Sequence, residues 1–490
     1  MASSPSYAMR ALWAFALMIG FYALAVAIAG GLLYMVYLDV AMGGRIHLKL
    51  VLFGTIGALT IIWAVVPRRD RFEPPGPRLE QAKQPRLFEE LEGVARAAEQ
   101  VMPTEVYLVP DVNAWVSQRG GVLGFGGRRV MGLGLPLLQA LTRDQMRAVL
   151  FHEFGHYHGG DTRLGPVLYR TRSAIGRAIE GLGDSSLQAP FRWYGNMFLR
   201  VTHATSRVQE FAADALSAHL AGSRAMTEAL KALPGLSQAF AAYWQTEVLP
   251  VLNANFRVPI AEGFARFLSN PAIADQVREV EKVALVESAK DPYDTHPPLP
   301  ERIAALEGLP PGAETSDQTK AIALLEEVGN LERAMLEHIY GREPVSKLGL
   351  IDWEESGLKV FLPGYVQFVQ SQRTALIGVT PAQFPDLAAN PSSIGDKLVP
   401  PDGEQLSGEE RGSYAMQLLG VALAVALHER GWVIEAGPGA PVVLRREGQT
   451  IEPFNVLGQL KDGGLSADEW RALTASSGLV ELDLGRVAQA

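Results

Sequence analysis

The chain has 490 residues, 48% hydrophobic and 20% charged, with 44 Lys+Arg against 53 Asp+Glu and a formal net charge of -9. This usage excludes a largely disordered chain, a collagen-like repeat and a polytopic transporter, and the acidic balance argues against a non-specific nucleic-acid binder. There is no cysteine, which removes disulfides, thiolate zinc sites, iron–sulfur clusters and cysteine nucleophiles together.

Residues 11–38 form a run of 28 residues without a charged side chain, and residues 50–67 a second of 18. At 1.5 Å rise per residue both reach across a hydrocarbon core of roughly 30 Å. The first run is too long for the apolar core of a signal peptide, and a second span follows it. Gly20, Gly30, Gly31, Gly54 and Gly57 offer close approach between the two helices. Of the Lys and Arg residues, only Arg45 and Lys49 lie between the runs, whereas Arg10 precedes them and Arg68, Arg69, Arg71, Arg78, Lys83 and Arg86 follow. The positive-inside bias then puts both termini, and everything after residue 67, in the cytoplasm beneath a cell (inner) membrane.

Residues 71–86 hold four prolines among charges and read as an extended linker. A helix is expected over 87–101 and short strands over 105–109 and 128–133, with glycine-rich residues 120–127 before the latter. Those glycines are not a dinucleotide fingerprint: Gly124-Phe125-Gly126 is followed by Arg129 where the third glycine belongs. From residue 142 to about 330 the pattern is mainly helical, and an amphipathic helix is expected near 318–340. Further on come a helix over 413–430, with a buried apolar core at 418–427, and a hairpin of 442–446 with 450–454 turning at Glu447-Gly448. Ser466 and Glu469 form a capping box opening a last helix. The expected layout is a membrane hairpin (1–70), a linker (71–86), a catalytic domain (87–340) and a small α+β accessory domain (341–490).

The chemistry concentrates in His152-Glu153-Phe154-Gly155-His156. Thr142 and Gln145 make a capping box, and Met146, Val149, Leu150 and Phe154 follow at helical spacing. Arg143, Asp144 and Arg147 make this helix amphipathic and oppose an intramembrane site. Four residues apart, the two imidazoles share one face and can hold one ion. Glu153 sits about 100° round the helix, poorly placed as a ligand but able to take a proton from an activated water. A catalytic zinc site needs a third protein ligand. Thr162 stands where a third histidine would be, which leaves two Glu-x-x-x-Asp strings. Glu180 and Asp184 enclose Gly181-Leu182-Gly183, a helix-breaking run, whereas Glu210 and Asp214 lie in an unbroken helical stretch from about 192 to 221. The second string is favoured, with Glu210 as ligand and Asp214 orienting a ligating imidazole.

Together these residues resemble the membrane-anchored zinc metallopeptidases related to the HtpX-type heat-shock proteases and the CAAX prenyl proteases. The similarity covers roughly residues 85–310. It includes Val106-Tyr107-Leu108-Val109-Pro110 with Asn113-Ala114, the surroundings of the His-Glu-Phe-Gly-His core, Glu210-Phe211-Ala212-Ala213-Asp214, and Thr295-His296-Pro297 with Arg302-Ile303. The resemblance implies Zn2+ bound by His152, His156 and Glu210, Glu153 as general base, and endopeptidase activity on membrane or misfolded proteins. It also implies a mainly α, zincin-type catalytic domain with a small β-sheet (α+β), and it brings His296 to the active site. A proline-stiffened loop can hold His296 as a donor to the developing oxyanion, with Arg302 nearby.

Two features depart from that family. CAAX prenyl proteases enclose their site among many spans, so prenyl-peptide chemistry is not expected. HtpX-like members carry further spans between the metal motif and the third ligand, whereas residues 161–209 hold seven arginines and no span. Phe191, Trp193, Tyr194, Met197, Phe198 and Leu199 beside those arginines read as a helix-core stripe, with a place on or near the inner-leaflet surface as the alternative. His158, His203, His219, His338 and His428 read as ordinary solvated or hydrogen-bonded residues. The expected partners are protein or peptide substrates and the lipid bilayer, and an extended substrate is expected to pair with 128–133 as the exposed sheet edge. The competing reading is a catalytically silent membrane-tethered chaperone or scaffold with a structural zinc site. Glu153 argues against it, because a structural site has no use for that carboxylate.

Overall fold

The computed structural model describes residues 7–42, 46–66, 72–119, 127–157, 165–286, 297–310, 317–395, 397–399 and 407–488. The chain divides into two compact units, Met1–Ser237 with Val277–His338 and Gln238–Gln276 with Ile339–Ala490.

The first unit opens with two apolar helices, α1 (Tyr7–Met42) and α2 (Leu48–Val65). Both are long and apolar enough to cross a membrane. Gly54 and Gly57 lie against Val36 and Leu32 of α1, but Gly30 and Gly31 face open space and take no part in the approach. The hairpin is not isolated. Phe21, Ala25, Ala58 and Ile61 share one buried cluster with Ala174 and Ala178 of α6 (Gly165–Leu182) and with Phe191, Tyr194 and Phe198 of α7 (Gln188–Ala221). Phe191, Tyr194 and Phe198 of the α7 stripe are thus helix core, packed on the hairpin, whereas Trp193 is 65% exposed. Tyr194 Oη donates to Leu17 O at 2.6 Å, and the Arg177 guanidinium donates to Ala64 O at 2.8 and 3.2 Å, fastening both helices to the hairpin.

A four-stranded sheet follows, built from β1 (Arg78–Leu79), β2 (Glu105–Val109), β3 (Ala114–Arg119) and β4 (Arg128–Gly134) in the order β1-β2-β4-β3. β4 runs parallel to β2 and antiparallel to β3. This corrects the expected edge: 128–133 is an inner strand, and the edges are β1 and β3, the latter not identified by sequence reading. The expected linker carries β1, and α3 (Pro85–Ala97) starts at its Pro85. The turn at 120–126 lies outside the described residues.

After α4 (Leu135–Ala140) comes α5 (Arg143–Gly155), opened by the Thr142–Gln145 capping box. Arg143 and Arg147 on its outer face both bind Glu90 of α3, at 2.8 and 2.6 Å. α8 (Ser223–Tyr243) and the helix Leu299–Glu307 complete the site's surroundings through a cluster of Ala148, Ala218, Met226, Leu230, Ile303 and Leu306. Of the helix expected near 318–340, only Val328–Tyr340 is α-helical, preceded by the 3-10 turn Ala321–Leu324.

The second unit is an α+β body around the buried helix Gly408–His428, in which every residue from Leu418 to Leu427 is buried. The hairpin of Val443–Arg446 with Gln449–Ile451 forms as expected, and both turn residues, Glu447 and Gly448, have positive φ (51° and 81°), the twist that suits a two-residue loop. The Ser466–Glu469 capping box opens Ala467–Ser476. Residues 238–276 join this unit through Phe256–Arg257, which pairs in parallel with Gly349–Leu350.

Candidate metal centre

Helices α5 and α7 cross at Gly155. A Cβ there would stand 2.9 Å from Ala213 Cα, so only glycine lets the backbones approach this closely. Ser217 Oγ donates to Ala148 O at 2.7 Å and fixes the same crossing. The crossing sets the ligating faces against each other: His152 Nε2 lies 3.5 Å from Glu210 Oε2, and His156 Nε2 lies 3.6 Å from Glu210 Oε1. One donor atom from each of the three residues falls within 4.8 Å of the others. Ligands at 2.0–2.2 Å around a tetrahedral ion stand about 3.3 Å apart, so these donors fit one metal of that kind.

Behind the cluster the polar groups form a chain. Asp214 Oδ1 lies 2.9 Å from His152 Nδ1, and Arg302 grips Asp214 with Nε to Oδ2 at 2.8 Å and Nη2 to Oδ1 at 2.7 Å. Arg302 Nη1 also stands 3.5 Å from Glu210 Oε2. All four residues are buried. Burial works to raise the Asp214 pKa, but the Arg302 fork and the His152 contact outweigh it and hold the carboxyl at about 2. Burial likewise works against the Arg302 charge, and Asp214 and Glu210 more than restore it. His156 is half-buried, its side chain 28% accessible, and is the most accessible of His152, His156 and Glu210.

His152, His156, Glu210, Asp214 and Arg302 thus converge. Glu153 is half-buried on α5 and acts electrostatically on both Arg302 and Tyr157. Glu180 is exposed at the end of α6. His296 and His158 lie outside the described residues. Sequence reading missed Tyr157, whose hydroxyl donates to Val116 O of the edge strand at 3.0 Å. Burial pushes this phenol up to about 12, so it remains a proton donor. Nothing in its position after His156 signalled that contact.

Residues 81–309, which include the sheet, α5 and α7, match the model of Peptidase family M48. A "Protease HtpX homolog" of Methylacidiphilum infernorum (isolate V4) is 29% identical over 248 residues, 46% of this chain and 72% of the relative. "Protease HtpX" of Idiomarina loihiensis is 29% identical over 205 residues, 37% and 69% of the two chains. "Protease HtpX" of Vibrio atlanticus is 31% identical over 170 residues, 29% and 56%. No solved structure matches the chain.

Proposed function

We propose that this member of peptidase family M48 is a zinc-dependent endopeptidase, anchored by α1 and α2, that cuts membrane or misfolded proteins. Metalloprotease activity follows from the family and its relatives. Zinc, the residue roles and the topology are our reading. The convergence of His152, His156 and Glu210 beside Glu153 carries it.

In this reading His152, His156 and Glu210 hold the ion, with residues 87–340 as the catalytic part. A bound zinc would supply Lewis acidity, polarising a scissile carbonyl and lowering the pKa of a coordinated water to about 7. Glu153 accepts the water's proton and delivers it to the leaving amine. Asp214 keeps His152 in the tautomer whose Nε2 is free to ligate, and Arg302 holds Asp214 in place. His296 serves as a donor to the oxyanion. An extended substrate pairs with β3, the edge nearest α5.

Glu153→Gln should retain about one zinc per chain while casein cleavage disappears, as it should for the intact enzyme under chelator. Cleavage by that variant would refute the base assignment, and a zinc-loaded intact chain without any cleavage would favour a silent scaffold. The excess of basic residues after α2 supports a catalytic domain on the cytoplasmic side of an inner membrane. A reporter fused after residue 490 should then be active only in its cytoplasmic form, and a signal from the opposite side would reverse the topology.

A further inference from the structure

Helices α6 and α7 turn back on each other at residues 183–187, and this turn is set deep against the anchor. A Cβ on Gly57 of α2 would stand 3.0 Å from Leu187 Cδ1, and one on Gly181 would stand 2.8 Å from Thr60 Cγ2. Four residues back along α6, Arg177 donates to Ala64 O, four residues on along α2. α6 therefore runs antiparallel along the last turns of α2, and its far end reaches the middle of that helix. The 18 residues of α2 rise about 27 Å, barely the roughly 30 Å of a hydrocarbon core. With α2 crossing the bilayer, Gly57 lies near the midplane.

What sits at that depth is polar. Gly183, Asp184, Ser185 and Ser186 are all exposed in the turn, and Glu180 and Arg192 are exposed on its two flanks. Hydrocarbon cannot satisfy the backbone of an exposed turn, and a carboxylate near the midplane is costlier still. Exposed tryptophans mark the usual level of the membrane interface. Trp63 and Trp193, 71% and 65% exposed, each stand six residues from the Gly57–Leu187 contact, about 9 Å along their helices. The tip thus lies below the headgroups of a bilayer of full thickness.

We propose that α6–α7 is a re-entrant wedge whose partner is the phospholipid bilayer: its polar tip draws water to the level of Gly57 and thins the leaflet on the catalytic side beside the anchor. This rests on the reading of α1 and α2 as membrane spans. Phe191, Tyr194 and Phe198 are buried against the hairpin, so the wedge does not withdraw to the surface. The lipid yields instead, as it does around a span too short for its surroundings. A client span that drifts against this face meets water over its last turns, where a short isolated helix is marginal.

The chain has no cysteine, so introduced ones report cleanly. The test uses the full chain in phosphatidylcholine vesicles, with a charged maleimide supplied on both faces. Asp468→Cys, where the native side chain is 92% exposed, is the water reference. Ser185→Cys should react within about tenfold of it, whereas Ile56→Cys, beside Gly57 on an exposed face of α2, should react at least about 100-fold more slowly. In the same vesicles Thr60→Cys with Gly181→Cys, or Gly57→Cys with Leu187→Cys, should close a disulfide within one chain, since both contacts are in bridging range. Labelling of Ser185→Cys as slow as that of Ile56→Cys overturns the thinning, and failure of both pairs to bridge overturns the depth. Labelling of Ile56→Cys as fast as the reference overturns the span reading of α2 itself, and with it the wedge.

Discussion

Both oxygens of Asp214 are engaged, Oδ1 shared by His152 and Arg302 and Oδ2 taken by Arg302 alone. A carboxylate buried to this depth survives as a charge only because a bidentate guanidinium answers it. In the proposed reading it in turn orients the His152 ring, whose Nδ1 lies 2.9 Å from Oδ1. Asp214→Asn keeps the shape and removes the charge, so zinc affinity should fall about 10- to 100-fold in a chelator competition. An unchanged affinity would mean that Asp214 does not orient the ligand. This layer was partly legible: the spacing of Glu210 and Asp214 by one helical turn suggested the division of roles. That Arg302 is committed to Asp214 was not legible, since the two are 88 residues apart and only the fold joins them.

At the scale of elements, the α5–α7 crossing sets how close Glu210 comes to the two imidazoles. Gly155→Ala forces a methyl against Ala213 backbone, and helix backbones do not yield locally. The expected result is a loss of about 1–3 kcal/mol in stability together with weaker zinc binding. Ala213→Gly in the same chain should recover part of both. Melting curves and metal titration check this, and a variant binding zinc like the parent would show that the crossing has slack. α5 was legible because its capping box, periodicity and ligand spacing are all local. β3 was not. Its inner residues follow no strict apolar alternation (Trp115, Val116, Ser117, Gln118), and its identity as an edge depends on β4 running beside β2, a pairing over 25 residues. The opposite error at 128–133 has the same origin, because a short apolar strand reads alike at an edge and in the middle.

At the scale of the molecule, the chain is assembled from segments distant in sequence. Residues 238–276 cluster with the second unit through two-residue strands that carry no periodic signal, whereas the helical pattern running to about residue 330 groups them in sequence with 87–340. α7 passes without interruption from the hairpin to Glu210. Tyr194 holds Leu17, and sixteen residues later Glu210 faces the imidazoles, about 24 Å along one rod. With α1 and α2 in the bilayer, that rod is a ruler. In the proposed reading, with α7 along the bilayer normal, a single-span client would pay out about seven extended residues beyond the level of Leu17 to reach Glu210. Clients with stalks graded in length should be spared below that threshold and clipped at a constant distance above it.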